Sequence, residues 1–157
     1  MTHISQTISP CLWFDDDLEE AAAFYASVFP DSEVGHLTRT PDGRALVGEF
    51  RLGATTFQAI NGGPELAGFT EAISFAVTCA DQAEVDHYWT ALTADGGEES
   101  MCGWLKDRFG LSWQIVPTRL YELLSDPEPA RAQAAQQSML SMRKIVVADL
   151  EAAADAA

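Results

Sequence analysis

The chain repeats itself, and the repeat limits what it can fold into more than any other feature. Asp17 with Glu20 is echoed by Asp81 with Glu84, and the same offset carries Phe24-Tyr25 onto Tyr88-Trp89. A shorter offset carries Phe57-Gln58 onto Trp113-Gln114, so the second copy has shorter hairpins. Each Asp-x-x-Glu reads as a helix start of the capping-box kind, with carboxylate in place of hydroxyl. Leu18, Ala21, Ala22, Tyr25, Val28 and Phe29 follow the first at helical spacing, and Val85, Tyr88, Trp89 and Leu92 the second. A strand-like run precedes each helix, at 8–14 and 72–79, and three short strand-like runs follow each. In the first copy these are a hairpin, 33–40 with 44–52 across Pro41-Asp42-Gly43, and then 55–60. The expected fold is α+β: two βαβββ modules, residues 4–61 and 71–117. A C-terminal helical tail, 118–157, completes a single domain. In the tail, Asp126-Pro127 reads as a helix start and Ala132, Ala135, Met139 and Met142 as one apolar stripe.

The segment W-L-K-D-R-F-G-L-S-W-Q-I-V-P, residues 104–117, is the most informative part of the second copy. It predicts two short antiparallel strands around a turn at Asp107-Arg108-Phe109-Gly110, with Gly110 supplying left-handed backbone. Beyond the turn, alternation sends Leu111, Trp113 and Ile115 to one face and Ser112, Gln114 and Val116 to the other. The first face suits a helix. The second aims a lone amide, Gln114, into a cavity. Trp13 and Trp113 fall on the helix-facing parity, whereas Trp104 is placed to wall the cavity.

Charge and composition remove whole classes of function. A formal net charge of −15 repels nucleic acid and anionic membrane surfaces. No apolar run approaches the roughly 20 residues that span a bilayer, and the N-terminus lacks the pattern of a signal peptide. Three cysteines, Cys11, Cys79 and Cys102, are an odd number without metal-like spacing, which fits free thiols in a reducing cytoplasm. The acidic stretch Asp15-Asp16-Asp17 lacks the internal Gly and terminal Glu of a calcium loop. His3, His36 and His87 share no ligand pattern.

The stretches L-W-F-D-D-D-L-E-E-A-A-A-F-Y (12–25), E-A-I-S-F-A-V (71–77) and C-G-W-L-K-D-R-F-G-L-S-W-Q-I-V-P (102–117) resemble the PhnB-like branch of the vicinal oxygen chelate superfamily. That superfamily includes glyoxalase I, bleomycin-resistance proteins and extradiol dioxygenases, and the branch often carries the name 3-demethylubiquinone-9 3-methyltransferase. The resemblance implies that the two modules form a curled eight-stranded mixed sheet around a cleft, with a divalent metal held there by His, Glu or Gln from the first and last strands of each module. Carried over one position at a time, those sites fall at Pro10 (Ser9 with a one-residue slip), Gln58, Ser74 and Gln114. None is an imidazole or a carboxylate, the donors divalent sites of this kind need. The methyltransferase name finds no support, because no glycine-rich loop follows the first strand-like run.

The expectation is therefore a glyoxalase- or bleomycin-resistance-like protein binding a small, partly apolar molecule in a metal-free cleft. Leu12, Phe14, Gln58, Ser74, Trp104 and Gln114 are the expected lining, with no cofactor and no assigned catalytic residue. A homodimer is expected, because the tail stripe needs cover and an eight-stranded curl has edges to protect. Two alternatives stand beside this reading: a metal-dependent lyase or isomerase with an irregular site, and a dimeric scaffold whose cleft is filled by its own side chains.

Overall fold

The computed structural model describes residues 6–66 and 68–157. The repeat is real at the level of topology. The first copy comprises β1 (Cys11–Phe14), α1 (Leu18–Val28), β2 (Glu33–Arg39), β3 (Ala45–Leu52) and β4 (Thr55–Asn61). The second comprises β5 (Phe75–Cys79), α2 (Gln82–Thr93), β6 (Glu98–Glu99), β7 (Trp104–Lys106) and β8 (Ser112–Pro117). Each builds a four-stranded sheet with the same order, β1-β4-β3-β2 and β5-β8-β7-β6. In each, the first strand pairs parallel with the last and the remaining pairs are antiparallel. The chain divides into two compact units, 1–68 and 69–157.

In the first unit α1 covers one face of its sheet. Ladder partners share a face, so Leu12 with Ala59, Gly48 with Ala59, and Phe50 with Phe57 point together. All are buried, and Tyr25 of α1 lies against the Phe50 ring at 5.8 Å between centroids. The sequence expectation for β1 fails here. Leu12 and Phe14 are 5% and 3% exposed and belong to the helix-covered core, whereas Trp13 is 36% exposed on the other face. The parallel register decides this, because it ties Leu12 to Ala59 and Trp13 to Ile60. A four-residue strand carries too little alternation to decide its own parity. Trp13 then lies flat across the chain at Gly62, where a β-carbon would overlap its ring, and its Nε1 donates to the Gly63 carbonyl at 3.0 Å.

The two acidic helix starts also differ. Asp81 accepts from the Glu84 amide at 3.0 Å, and Glu84 accepts from the Ala80 amide at 2.7 Å. Asp17 makes no side-chain cap. Its place is taken by buried Asn61, at the end of β4, which accepts from the Leu18 amide at 2.9 Å and donates to the Ala45 carbonyl at 2.9 Å.

The tail forms α3 (Thr118–Leu124), α4 (Pro129–Leu140) and α5 (Val147–Asp155) and packs on its own unit. Helix α4 begins after Glu128 rather than at Pro127, and Asp126 instead accepts from the Glu128 amide and the Arg131 guanidinium, both at 3.0 Å. Ala135, Met139 and Met142 join Val116, Leu120, Leu123, Ile145, Leu150 and Ala154 in one apolar cluster. The stripe is thus covered within the chain, which removes it as a reason for dimerisation. The amides of Cys102 and Gly103 donate to the carbonyls of Met142 and Arg143, each at 2.8 Å. The Gln82 side chain clamps the tail by donating to the Ile145 carbonyl at 3.0 Å and accepting from the Val147 amide at 2.8 Å.

Candidate functional site

Each sheet keeps one face that its helix does not cover, and the polar side chains of interest lie there. In the first unit this face carries Cys11, Trp13, Val47, Glu49, Gln58 and Ile60, by the register that pairs Cys11 and Glu49 with Gln58. Gln58 is exposed. Beside it, a bulge in β2 sets Gly35 and His36 against the single residue Glu49. A shallow hollow of ≈ 300 Å³ results, lined by His36, Thr38, Val47, Gly48, Glu49 and Gln58.

In the second unit the turn before β8 is organised by one buried carboxylate. Asp107 is 2% exposed. Its Oδ1 accepts from the amides of Phe109 (2.9 Å) and Leu111 (3.1 Å), and its Oδ2 accepts from Trp113 Nε1 at 2.8 Å. Gly110, at φ +87°, closes the turn by donating its amide to the Asp107 carbonyl at 2.9 Å. Much of the distinctive 104–117 pattern is therefore architecture: Asp107, Gly110 and Trp113 fix the hairpin that presents its neighbours. Those neighbours are Trp104 opposite Gln114 and Lys106 opposite Ser112, all on the face turned away from buried Trp113. Trp113 is buried on the other face, as its parity predicts.

Gln114 is half-buried, and its Nε2 donates to Ser74 Oγ at 2.9 Å. A cavity of ≈ 230 Å³ adjoins, lined by Glu71, Ser100, Trp104, Leu105, Lys106 and Ser112. Lys106 Nζ lies 2.9 Å from Glu71 Oε1, and that carboxylate pushes the Lys106 pKa above its ordinary value, so the ammonium stays charged near neutrality. Of the six expected lining residues, then, Ser74 and Gln114 meet and Trp104 walls a cavity. Gln58 lines the hollow of the first unit, and Leu12 and Phe14 lie in the core. Lys106 and Ser112 were not singled out from the sequence. The signal was available, because a hairpin closed at Asp107 to Gly110 sets both on the face of Trp104 and Gln114.

The donor set does not fit a divalent ion of the superfamily kind. The ladders place Cys11 beside Gln58 and Ala76 beside Gln114, which makes Ser9 the counterpart of Ser74, since each lies two residues earlier. The four positions are thus two hydroxyls and two amides, and one amide is already bonded to one hydroxyl. Among the described residues no three His, Cys, Asp or Glu side chains form a metal-holding group. The three cysteines are free. Cys79 is buried, and that burial pushes its thiol up to about 12, so it is no nucleophile at neutral pH.

The sequence pattern of the family described as 3-demethylubiquinone-9 3-methyltransferase matches residues 6–116. Among solved structures, a putative 3-demethylubiquinone-9 3-methyltransferase, a PhnB protein from Bacillus cereus, is 30% identical with a TM-score of 0.67 and covers 72% of this chain and 100% of its own. A protein from Pseudomonas aeruginosa is similar in fold at 20% identity and a TM-score of 0.59, over 72% of this chain and 98% of its own. The fosfomycin resistance protein FosX from Listeria monocytogenes, at 20% identity and a TM-score of 0.58, covers 78% of this chain and 99% of its own. No curated protein matches the chain.

Proposed function

The chain belongs to the family described as 3-demethylubiquinone-9 3-methyltransferase, a PhnB-like branch of the vicinal oxygen chelate superfamily, and from that premise we propose that it binds a small, partly apolar molecule without a divalent metal. The observation that carries this reading is the hydrogen bond from Gln114 Nε2 to Ser74 Oγ. Two of the four positions that a superfamily metal would use satisfy each other, and neither brings charge. A neutral amide and a hydroxyl suit orientation of a polar ligand, while Trp104 offers an aromatic wall of the kind small-molecule sites use. Methyl transfer is not part of this reading, despite the family's name. In both sheets the parallel pairing is confined to one pair, first strand with last, whereas a dinucleotide-type fold winds successive strands parallel.

Elemental analysis of untagged protein is expected to find no stoichiometric metal. Melting under Zn²⁺, Ni²⁺, Mn²⁺ and Fe²⁺ is expected to show no saturable rise. Stoichiometric metal, or turnover of a dicarbonyl thiol adduct or a catechol that EDTA abolishes, would replace this reading with that of a metal-dependent lyase or isomerase. We assign the protein to a reducing compartment on its free thiols, and to a homodimer on its sheet edges and on exposed Trp13 and Val47. Among the described residues no helix is long and apolar enough to cross a membrane. Sedimentation showing only a monomer at micromolar concentration would remove the dimer.

A further inference from the structure

Two buried hydroxyls lack a hydrogen-bond partner among the described residues, Thr56 Oγ1 and Ser112 Oγ. Burying a hydroxyl without a partner is costly, so each needs an explanation. Thr56 lines neither the hollow nor the cavity described above, and its backbone is held by the Gln6 amide, which donates to its carbonyl and accepts from its N–H. Ser112 differs. It is 1% exposed and lines the ≈ 230 Å³ cavity, on the sheet face it shares with Lys106.

We propose that this cavity is a subsite for a single-ring compound bearing an oxyacid group, with the ring against Trp104 and the oxyanion held by Ser112 Oγ and Lys106 Nζ. The inference rests on the small-molecule reading above and narrows it to a ligand class. Size comes first: an apolar cavity of about 150 Å³ accommodates benzene, so ≈ 230 Å³ leaves room for one ring and a compact polar group. Charge comes second. An ammonium has three donors; Glu71 Oε1 pairs with Lys106, and Glu98, opposite Lys106 on β6, is a second nearby carboxylate, so an oxyanion competes with both for those donors. The Glu71 side chain is 60% exposed, so that pair is weakly held and an incoming oxyanion can share or displace it. Chemistry comes third. Ser100 and Ser112 add hydroxyl donors beside Lys106, so the polar lining favours an acceptor-rich group. The orphan hydroxyl is the point at which the ligand-free protein is least satisfied, and an acceptor placed there removes the penalty.

The test is a titration of the ¹⁵N-labelled full chain in EDTA with benzoate, phenylacetate, benzyl alcohol and benzylamine, read at the Trp104 indole and the amides of Lys106 and Ser112. Saturable shifts with benzoate or phenylacetate are expected, weakened at least fivefold by Ser112→Ala and by Lys106→Met. Ser112→Ala is expected to melt no lower than the parent, because its hydroxyl has no partner to lose. A clear fall in its melting temperature would show a structural role and overturn the proposal. Equal binding of benzyl alcohol and benzoate, unchanged by Lys106→Met, would overturn the oxyanion class and leave small-molecule binding standing. No saturable shift from any of the four would overturn the subsite. A parallel titration with diamagnetic Zn²⁺ in place of EDTA separates the two claims: binding that requires the metal would overturn the metal-free reading while keeping the subsite.

Discussion

Asp107 shows how a residue in a family-specific motif can be structural. Three N–H groups converge on its buried carboxylate, so removing it leaves three donors unpaired. Asp107→Ala is expected to cost about 3 kcal/mol or more in urea unfolding, far above the cost of an ordinary surface change. Cys79 gives a second residue-scale prediction. Burial, reinforced by Glu84 and Asp81, raises its thiol from 9.0 to about 12. The unfolded chain gives up that proton above about 9 while the folded chain keeps it. The contribution is therefore complete below about 9 and is lost as pH rises towards 12, at up to about 1.4 kcal/mol per pH unit. Cys79→Ala should flatten the alkaline slope of stability relative to the parent.

At the scale of elements, two starts that read alike in sequence are built differently. Asp81 caps α2 itself, so Asp81→Ala should cost about 1 kcal/mol. Asp17→Ala should stay within about 0.5 kcal/mol, because no cap is lost. Asn61→Ala should cost about 2 kcal/mol, because it strands the Leu18 amide and the Ala45 carbonyl together. Denaturant unfolding of the three variants separates these outcomes, and a costly Asp17→Ala would contradict the assignment. Gln82 plays the matching part for the tail. Gln82→Ala should speed hydrogen exchange at Val147 and its neighbours in α5 while the β8 amides stay protected, since the ladder does not depend on the clamp.

Over the whole molecule, net charge governs the long-range energetics. At −15 the chain repels itself, and most of its ion pairs, such as Arg39 with Glu19, are exposed and weak. Added sodium chloride should therefore raise the melting temperature over the first few hundred millimolar, as screening shortens the reach of the repulsion. A fall over that range would mean that attractive pairs dominate. The tail adds a pair that holds it to α2 and a pair within itself. Lys144 lies 2.7 Å from Asp86 and helps keep that carboxyl below its usual range, and Arg119 joins α3 to Glu151 of α5 at 2.8 Å.

The repeat, both module helices and the hairpin turn at Gly110 were all legible in the residue order. Each depends on local spacing or on side-chain chemistry that the chain carries wherever it goes. The face that Leu12 and Phe14 occupy, the replacement of Asp17 by Asn61 and the cover over the Met139 stripe were not. Each depends on which distant segment lies alongside, through the β1–β4 register, the end of β4 and the cluster around Ile145. The Ser112 hydroxyl belongs to both. Alternation sets its face, but only the packed unit shows that nothing among the described residues answers it.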